Sequence, residues 1–177
     1  MRIVKKILIV LVSLFVVLLI AALFINKDYS ITKEVTISKP KADVFNYIKY
    51  LKNQNNYSKW AKMDPNMKPT FTGTDATVGF ISAWEGNKEV GKGEQEIKGI
   101  TDGERLDYEI RFKKPMESVA QANMTTTALN ENQTKVTWTF AGHMPYPFNL
   151  MRLFGMEKMV GNDLQTGLDN LKALQEK

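Results

Sequence analysis

The sequence predicts an α+β protein, one antiparallel sheet of about seven strands packed on a single long C-terminal helix, behind an N-terminal helix able to cross a membrane. Three patterns predict it. Ile7–Ile25 is an unbroken apolar run, residues 70–142 alternate with a period of two between turn signals, and residues 148–175 switch to spacings of three and four. A length of 177 residues with 44% hydrophobic side chains suits one globular domain rather than two.

The apolar run reads ILIVLVSLFVVLLIAALFI, nineteen residues with one hydroxyl and no charge. At 1.5 Å per residue it spans roughly 28 Å of hydrocarbon, enough to cross a bilayer. It is longer than the usual ~7–15-residue core of a secretory signal and lacks a convincing small-residue cleavage site, so an uncleaved anchor is expected. Arg2, Lys5 and Lys6 precede it, whereas Lys27 is soon offset by Asp28. The positive-inside rule therefore places the N-terminus in the cytoplasm and the body of the chain outside the inner membrane. The expected organisation is an anchor over residues 1–26, a spacer over 27–30 and a single domain over 31–177.

Ile31–Ile37 alternates with Ile31, Val35 and Ile37 on one face, a strand ended by Ser38-Lys39-Pro40. Val44, Phe45, Ile48 and Leu51 then recur at helical spacing, predicting about three turns, with Ser38 or Asp43 as cap and Pro40 in the first turn. Residues 53–66 mix Asn, Tyr57 and Trp60 into a packed loop or short helix closed by Asp64-Pro65-Asn66. Strands follow at Pro69–Gly73, Val78–Trp84, Val90–Ile100, Leu106–Phe112, Glu117–Leu129 and Thr134–Phe140. Glu85-Gly86-Asn87-Lys88 and Thr101-Asp102-Gly103 are the clearest hairpin turns. Pro145 and Pro147 break the last strand before a long amphipathic helix from Phe148 to Gln175. Its glycines 155, 161 and 167 predict either bending or close approach to the sheet.

Composition removes several kinds of chemistry. With no Cys and one His, the chain offers no disulfide framework, thiolate zinc site, cysteine nucleophile or multi-histidine metal centre. The formal charge of +5 owes much to the three basic residues before the apolar run; the remainder carries 21 basic against 19 acidic residues. Without a Lys/Arg stripe, nucleic-acid binding is not expected. Gly91-Lys92-Gly93 lies between strand-like segments rather than before a helix, so it reads as a hairpin or bulge and not as a phosphate loop. No serine-elbow, EF-hand or zinc-protease motif occurs, and no cofactor is expected.

In its order of elements the chain resembles the SRPBCC superfamily, the START-related helix-grip proteins, and among them bacterial polyketide cyclase/dehydrase-like members. The resemblance runs from about Ile31 to Leu174. It is carried by Ile37-Ser38-Lys39-Pro40 with Val44-Phe45, Trp60-Ala61-Lys62-Met63-Asp64-Pro65, Gly73 with Val78-Gly79, Trp84-Glu85-Gly86-Asn87, Gly91-Lys92-Gly93, Phe112 with Pro115, and Thr134-Lys135-Val136-Thr137-Trp138. It implies a curved sheet wrapped round the C-terminal helix with an internal cavity between them. Hydrophobic periodicity alone implies only burial.

The resemblance makes ligand-wall candidates of Phe80, Trp84, Tyr108, Phe112, Met124, Trp138, Met144 and Phe154, with Leu106, Ile110, Phe140 and Phe148 among the inward-facing set. The expected function is a membrane-anchored, non-catalytic binding domain for an apolar or lipid-like small molecule. The alternatives are a cyclase or dehydratase using His143 or Tyr108 as general acid/base, and an interaction protein whose core is filled.

Overall fold

A computed structural model describes residues 2–177. Seven antiparallel strands form one sheet in the order β1-β7-β6-β5-β4-β3-β2. They are β1 (Asp28–Ile37), β2 (Thr70–Thr72), β3 (Ile81–Glu85), β4 (Lys92–Thr101), β5 (Arg105–Lys114), β6 (Ser118–Asn130) and β7 (Gln133–His143). Helices α1 (Arg2–Ala22), α2 (Lys41–Ile48), α3 (Gln54–Tyr57), α4 (Lys59–Met63) and α5 (Met156–Gln175) complete the chain. Every step from β2 to β7 is a hairpin between neighbours, so β1 alone closes the sheet from a distance, pairing with β7 from Asp28↔His143 to Ile37↔Thr134.

The alternation read from the sequence sets which face is buried. On β5, Leu106 and Tyr108 point inward, and on β7 Thr134, Val136, Trp138 and Phe140 do the same. α5 lays Leu164, Leu168 and Leu171 across β1 and β7, while α2 contributes Val44, Phe45 and Ile48 over β6 and β7. That half of the sheet is filled. Over β3–β5 the concave face is covered only by the short helices α3 and α4 and the loop after them.

Several details differ from the sequence expectation, each for a local reason. β1 begins at Asp28 rather than Ile31, because β7 extends to His143 and pairs with the residues expected to form a spacer. α2 is two turns long and gives way to a 3-10 turn at Leu51–Asn53, whose backbone amides at Leu51 and Lys52 are held by the Asp75 carboxylate. Neither Ser38 nor Asp43 caps α2 by its side chain; the Pro40 carbonyl accepts from the amides of Asp43 and Val44 instead. The third strand starts at Ile81, since Gly79 turns the chain in the left-handed region at φ +89°.

The long C-terminal helix is broken as well. Gly155 has φ +84°, a conformation in which other residues are strained, so residues 148–152 form a separate 3-10 turn before α5 begins. The break leaves Phe148 and Phe154 on the surface instead of in the inward set, with Phe154 73% exposed.

α1 is 21 residues long, about 31 Å. It is long and apolar enough to cross a bilayer, a property shared with signal sequences. Its far end is bound to the domain. Asn149 is fully buried and its Nδ2 donates to the carbonyls of Ala22 at 2.7 Å and Ile25 at 3.0 Å. Arg152 Nη1 donates to the carbonyls of Asn26 at 2.6 Å and Asp28 at 2.8 Å, while its Nε is held by Glu157. Two side chains from one 3-10 turn thus satisfy the last carbonyl of α1 and three in the link from it into β1.

Candidate functional site

The uncovered half of the sheet is where a cavity forms. Its floor is the concave face of β3–β5 and β7, presenting Ser82, Trp84, Gln95, Tyr108, Ile110, Phe112, Trp138 and Phe140. Its cover is Gln54, Asn55, Ser58, Trp60 and Ala61 from α3 and α4, with Met67 and Pro69 beyond, and α5 closes one side with Val160 and Leu164. The cavity volume is about 260 Å³. No Asp, Glu, Lys, Arg or His stands among the residues that line it.

Two glycines permit this geometry. A Cβ on Gly93 would lie 2.5 Å from the Trp84 ring, so only glycine lets that ring lie down over β4. A Cβ on Gly167 would meet Trp138 Cζ3 at 2.8 Å, so α5 can press against the indole only there. The cover is fastened at its rim by Asp64, whose Oδ2 accepts from the Asn87 amide at 2.7 Å and whose Oδ1 accepts from the Asn66 amide at 2.9 Å. The Asp64-Pro65 and Gly86-Asn87 stretches noted separately in the sequence are thereby joined. Lys59 adds an ion pair to Asp163 on α5.

Polar atoms inside the cavity are few and ordered. Gln95 Nε2 donates to Gln54 Oε1, and Gln54 Nε2 donates to the Tyr108 hydroxyl at 3.3 Å. The chain of donors ends on Tyr108, whose own proton has no acceptor among the described residues. Trp138 Nε1 is buried and makes no hydrogen bond of good geometry, the polar group beside it being the Tyr108 hydroxyl. One O–H and one N–H, buried in the residues that form the wall, are thus without an acceptor. Burial raises the Tyr108 pKa well above its ordinary value, outweighing the opposing pull of the neighbouring Trp138 and Gln54 N–H groups. The hydroxyl stays protonated at neutral pH and acts as a donor rather than a base.

Of the wall candidates from the sequence, Trp84, Tyr108, Phe112 and Trp138 stand on the cavity. Phe80 and Met124 are buried in the packed core outside it, Met124 accepting from the Tyr57 hydroxyl at 3.4 Å. Met144 is half-buried at the end of the sheet, where its amide donates to the Lys27 carbonyl, and Phe154 is exposed. His143 is exposed on the last residue of β7, its Nδ1 2.7 Å from Asp28 Oδ1, and lies outside the cavity. Period-two reasoning places a residue on a face of a strand and says nothing of what covers that face. Gln54, Ser58, Trp60, Ser82 and Gln95 were missed for that reason. The dense Asn, Gln, Tyr and Trp content of residues 53–60, unusual for a surface loop, was the available signal.

Among the described residues no group of three or more His, Asp or Glu side chains is placed to hold a metal ion.

Comparison with solved structures returns the same architecture. A protein of Chromobacterium violaceum aligns over 84% of this chain and 97% of its own, with TM-score 0.57 and 16% identity. A protein of Bacillus thuringiensis aligns over 84% and 100%, with TM-score 0.61 and 12% identity. Norcoclaurine synthase from Thalictrum flavum, solved in complex with dopamine and hydroxybenzaldehyde, aligns over 83% and 86%, with TM-score 0.64 and 10% identity. At these identities the likeness is one of fold. No curated protein matches the chain in sequence. Residues 28–176, the whole of the sheet and of α5, match the family described as polyketide cyclase / dehydrase and lipid transport, and the chain belongs to that family.

Proposed function

We propose that the domain binds, without transforming it, a small apolar molecule carrying one uncharged hydrogen-bond acceptor, and that α1 holds it at the outer face of the inner membrane with the N-terminus in the cytoplasm. The observation that carries the reading is the Tyr108 hydroxyl, a buried donor without an acceptor in the wall of a largely apolar, uncharged cavity, with the unpartnered Trp138 Nε1 buried behind that wall. A buried donor without an acceptor costs about 1–3 kcal/mol, and a ligand oxygen would recover it. With no cation in the wall to balance a carboxylate or phosphate, a carbonyl, ester or ether oxygen fits best.

Size narrows the class further. A cavity of about 260 Å³ is at the lower edge of the roughly 300–1,000 Å³ usual for ligand clefts, which favours a single ring or short chain over a whole two-chain lipid. That norcoclaurine synthase was solved with two small aromatic molecules is consistent with this fold accepting such ligands. The absence of any charged side chain from the wall, with His143 on the surface, leaves the cavity without a general acid or base of useful pKa and supports binding over cyclase chemistry.

All three tryptophans of the chain, Trp60, Trp84 and Trp138, line the cavity, so intrinsic emission reports occupancy with no background from elsewhere. Full-length protein in lipid nanodiscs is titrated with acetophenone and with ethylbenzene, which differ by the carbonyl oxygen. Saturable emission changes with both, and tighter binding of the ketone, are expected. No saturable change with either compound would sink the binding reading.

A further inference from the structure

The exposed apolar side chains of the domain are not scattered evenly. Phe148, Met151, Leu153 and Phe154 come from seven consecutive residues, with Leu153 61% and Phe154 73% exposed. A monomeric soluble surface seldom gathers so many large apolar groups on one short segment. The same segment carries Asn149 and Arg152, the two side chains that grip the carbonyls of Ala22, Ile25, Asn26 and Asp28. The patch is therefore fixed beside the point where α1 ends, and it adjoins Leu23 and Phe24, which are also exposed. A flexible tether would leave the orientation of the domain free; this joint does not.

From that placement we infer that residues 148–154 form a membrane-seating patch that dips into the outer leaflet beside α1 and fixes the domain in one orientation on the lipid surface. The inference rests on the reading of α1 as a membrane span. Its occupant is the lipid bilayer because the patch continues the apolar surface of α1 across a rigid, hydrogen-bonded junction. The break at Gly155 turns the patch outward, whereas a continuous helix through residues 148–175 would have directed part of it to the core. Val160 and Leu164, two of the cavity-lining residues, follow within two to three turns of α5, so seating the patch brings that wall of the cavity close to the interface.

The chain has no cysteine, so single cysteines carry a nitroxide without competing labels. Full-length Leu153→Cys and Phe154→Cys are labelled in vesicles of phosphatidylcholine and phosphatidylglycerol. Depth is read from the relative accessibility of the label to oxygen and to a water-soluble nickel chelate. Leu11→Cys, midway along α1, reports whether α1 spans, and Leu129→Cys, exposed on the β6–β7 hairpin at the opposite end of the sheet, reports water. The expected result is a depth of about 5–10 Å below the phosphates at 153 and 154, with Leu11 deeper and Leu129 aqueous. Labels at 153 and 154 as aqueous as that at 129, with 11 in hydrocarbon, would overturn the patch and leave the span standing. An aqueous reading at 11 would overturn the span and the patch together.

Discussion

Tyr108 and Trp138 stand apart from the other rings of the cavity wall because each is buried with a polar proton that no protein acceptor takes, whereas Trp84 donates to the Val90 carbonyl. Tyr108 on β5 and Trp138 on β7 flank β6, and the chain of donors from Gln95 through Gln54 ends on the Tyr108 hydroxyl. Tyr108→Phe removes one donor with little change of volume. Binding of acetophenone should weaken about five- to tenfold, corresponding to ~1–1.4 kcal/mol for one hydrogen bond, while ethylbenzene affinity stays within twofold. Equal losses for the two compounds in the emission titration would mean that the hydroxyl shapes the wall rather than meeting an acceptor. Asp64 is the comparable residue at the rim, where its carboxylate accepts two backbone amides and so ties the cover to the β3–β4 turn.

At the scale of elements, the glycines of α5 separate two roles that the sequence left open. Gly161 faces the end of the flexible Lys33 side chain, with Cε 3.0 Å from a built Cβ, so Gly161→Ala should gain up to about 1 kcal/mol of helix stability. Gly167→Ala should instead lose roughly 1 kcal/mol net, because overpacking against the rigid Trp138 ring exceeds the propensity gain. Denaturant unfolding of the two variants checks the opposite signs. Strand positions were readable because one face of each strand is apolar, and the regular hairpins from β2 to β7 made the order of the sheet follow. A bend near Gly155 was among the expectations, but the separate turn before it was not: Leu150, Leu153 and Phe154 continue the helical spacing, and only the joint to α1 gives them another place to go.

The outer face of β4 and β5 carries a charge network of a kind that burial patterns do not reveal. Arg111 bonds Glu94 at 2.8 Å and Glu96 and Glu109 at 2.7 Å, with Lys113 and Lys98 adding to it. Lys113 and then Arg111 hold the Glu94 carboxyl below its usual value of 4.5; Arg111 does most of this for Glu96 and Glu109, aided by Lys98 and Gln121 respectively. Since the folded pKa values are depressed, the stabilisation is complete above the unfolded value and is lost as pH falls through the folded values. Melting temperature should thus decline below about pH 5. Arg111→Met should flatten that decline, an outcome read by thermal melts across the acid range; an unchanged slope would exclude the network as its source.

For the molecule as a whole, the architecture was the most legible part, since a sheet, a long helix and an apolar leader each have a period or a length of their own. The cavity was only half legible. Four of eight expected wall residues stand on it, because the half of the sheet left open is decided by how far α2 and α5 reach and by the short helices α3 and α4 that cover the rest. Such coverage is a tertiary property, set by Gly167, Gly93 and the Asp64 clasp more than by any strand pattern.

The same coverage makes the central claim, a ligand held in that cavity, directly measurable. Full-length protein is extracted from its membrane with lipid patches intact and released in a native mass spectrometer, beside Ala61→Phe, which fills the cavity from α4. The account predicts one small uncharged molecule, well below the mass of a phospholipid, retained by the unaltered chain and absent from the filled variant at equal melting temperature. Retention of the same molecule by both proteins would place it elsewhere and contradict the account.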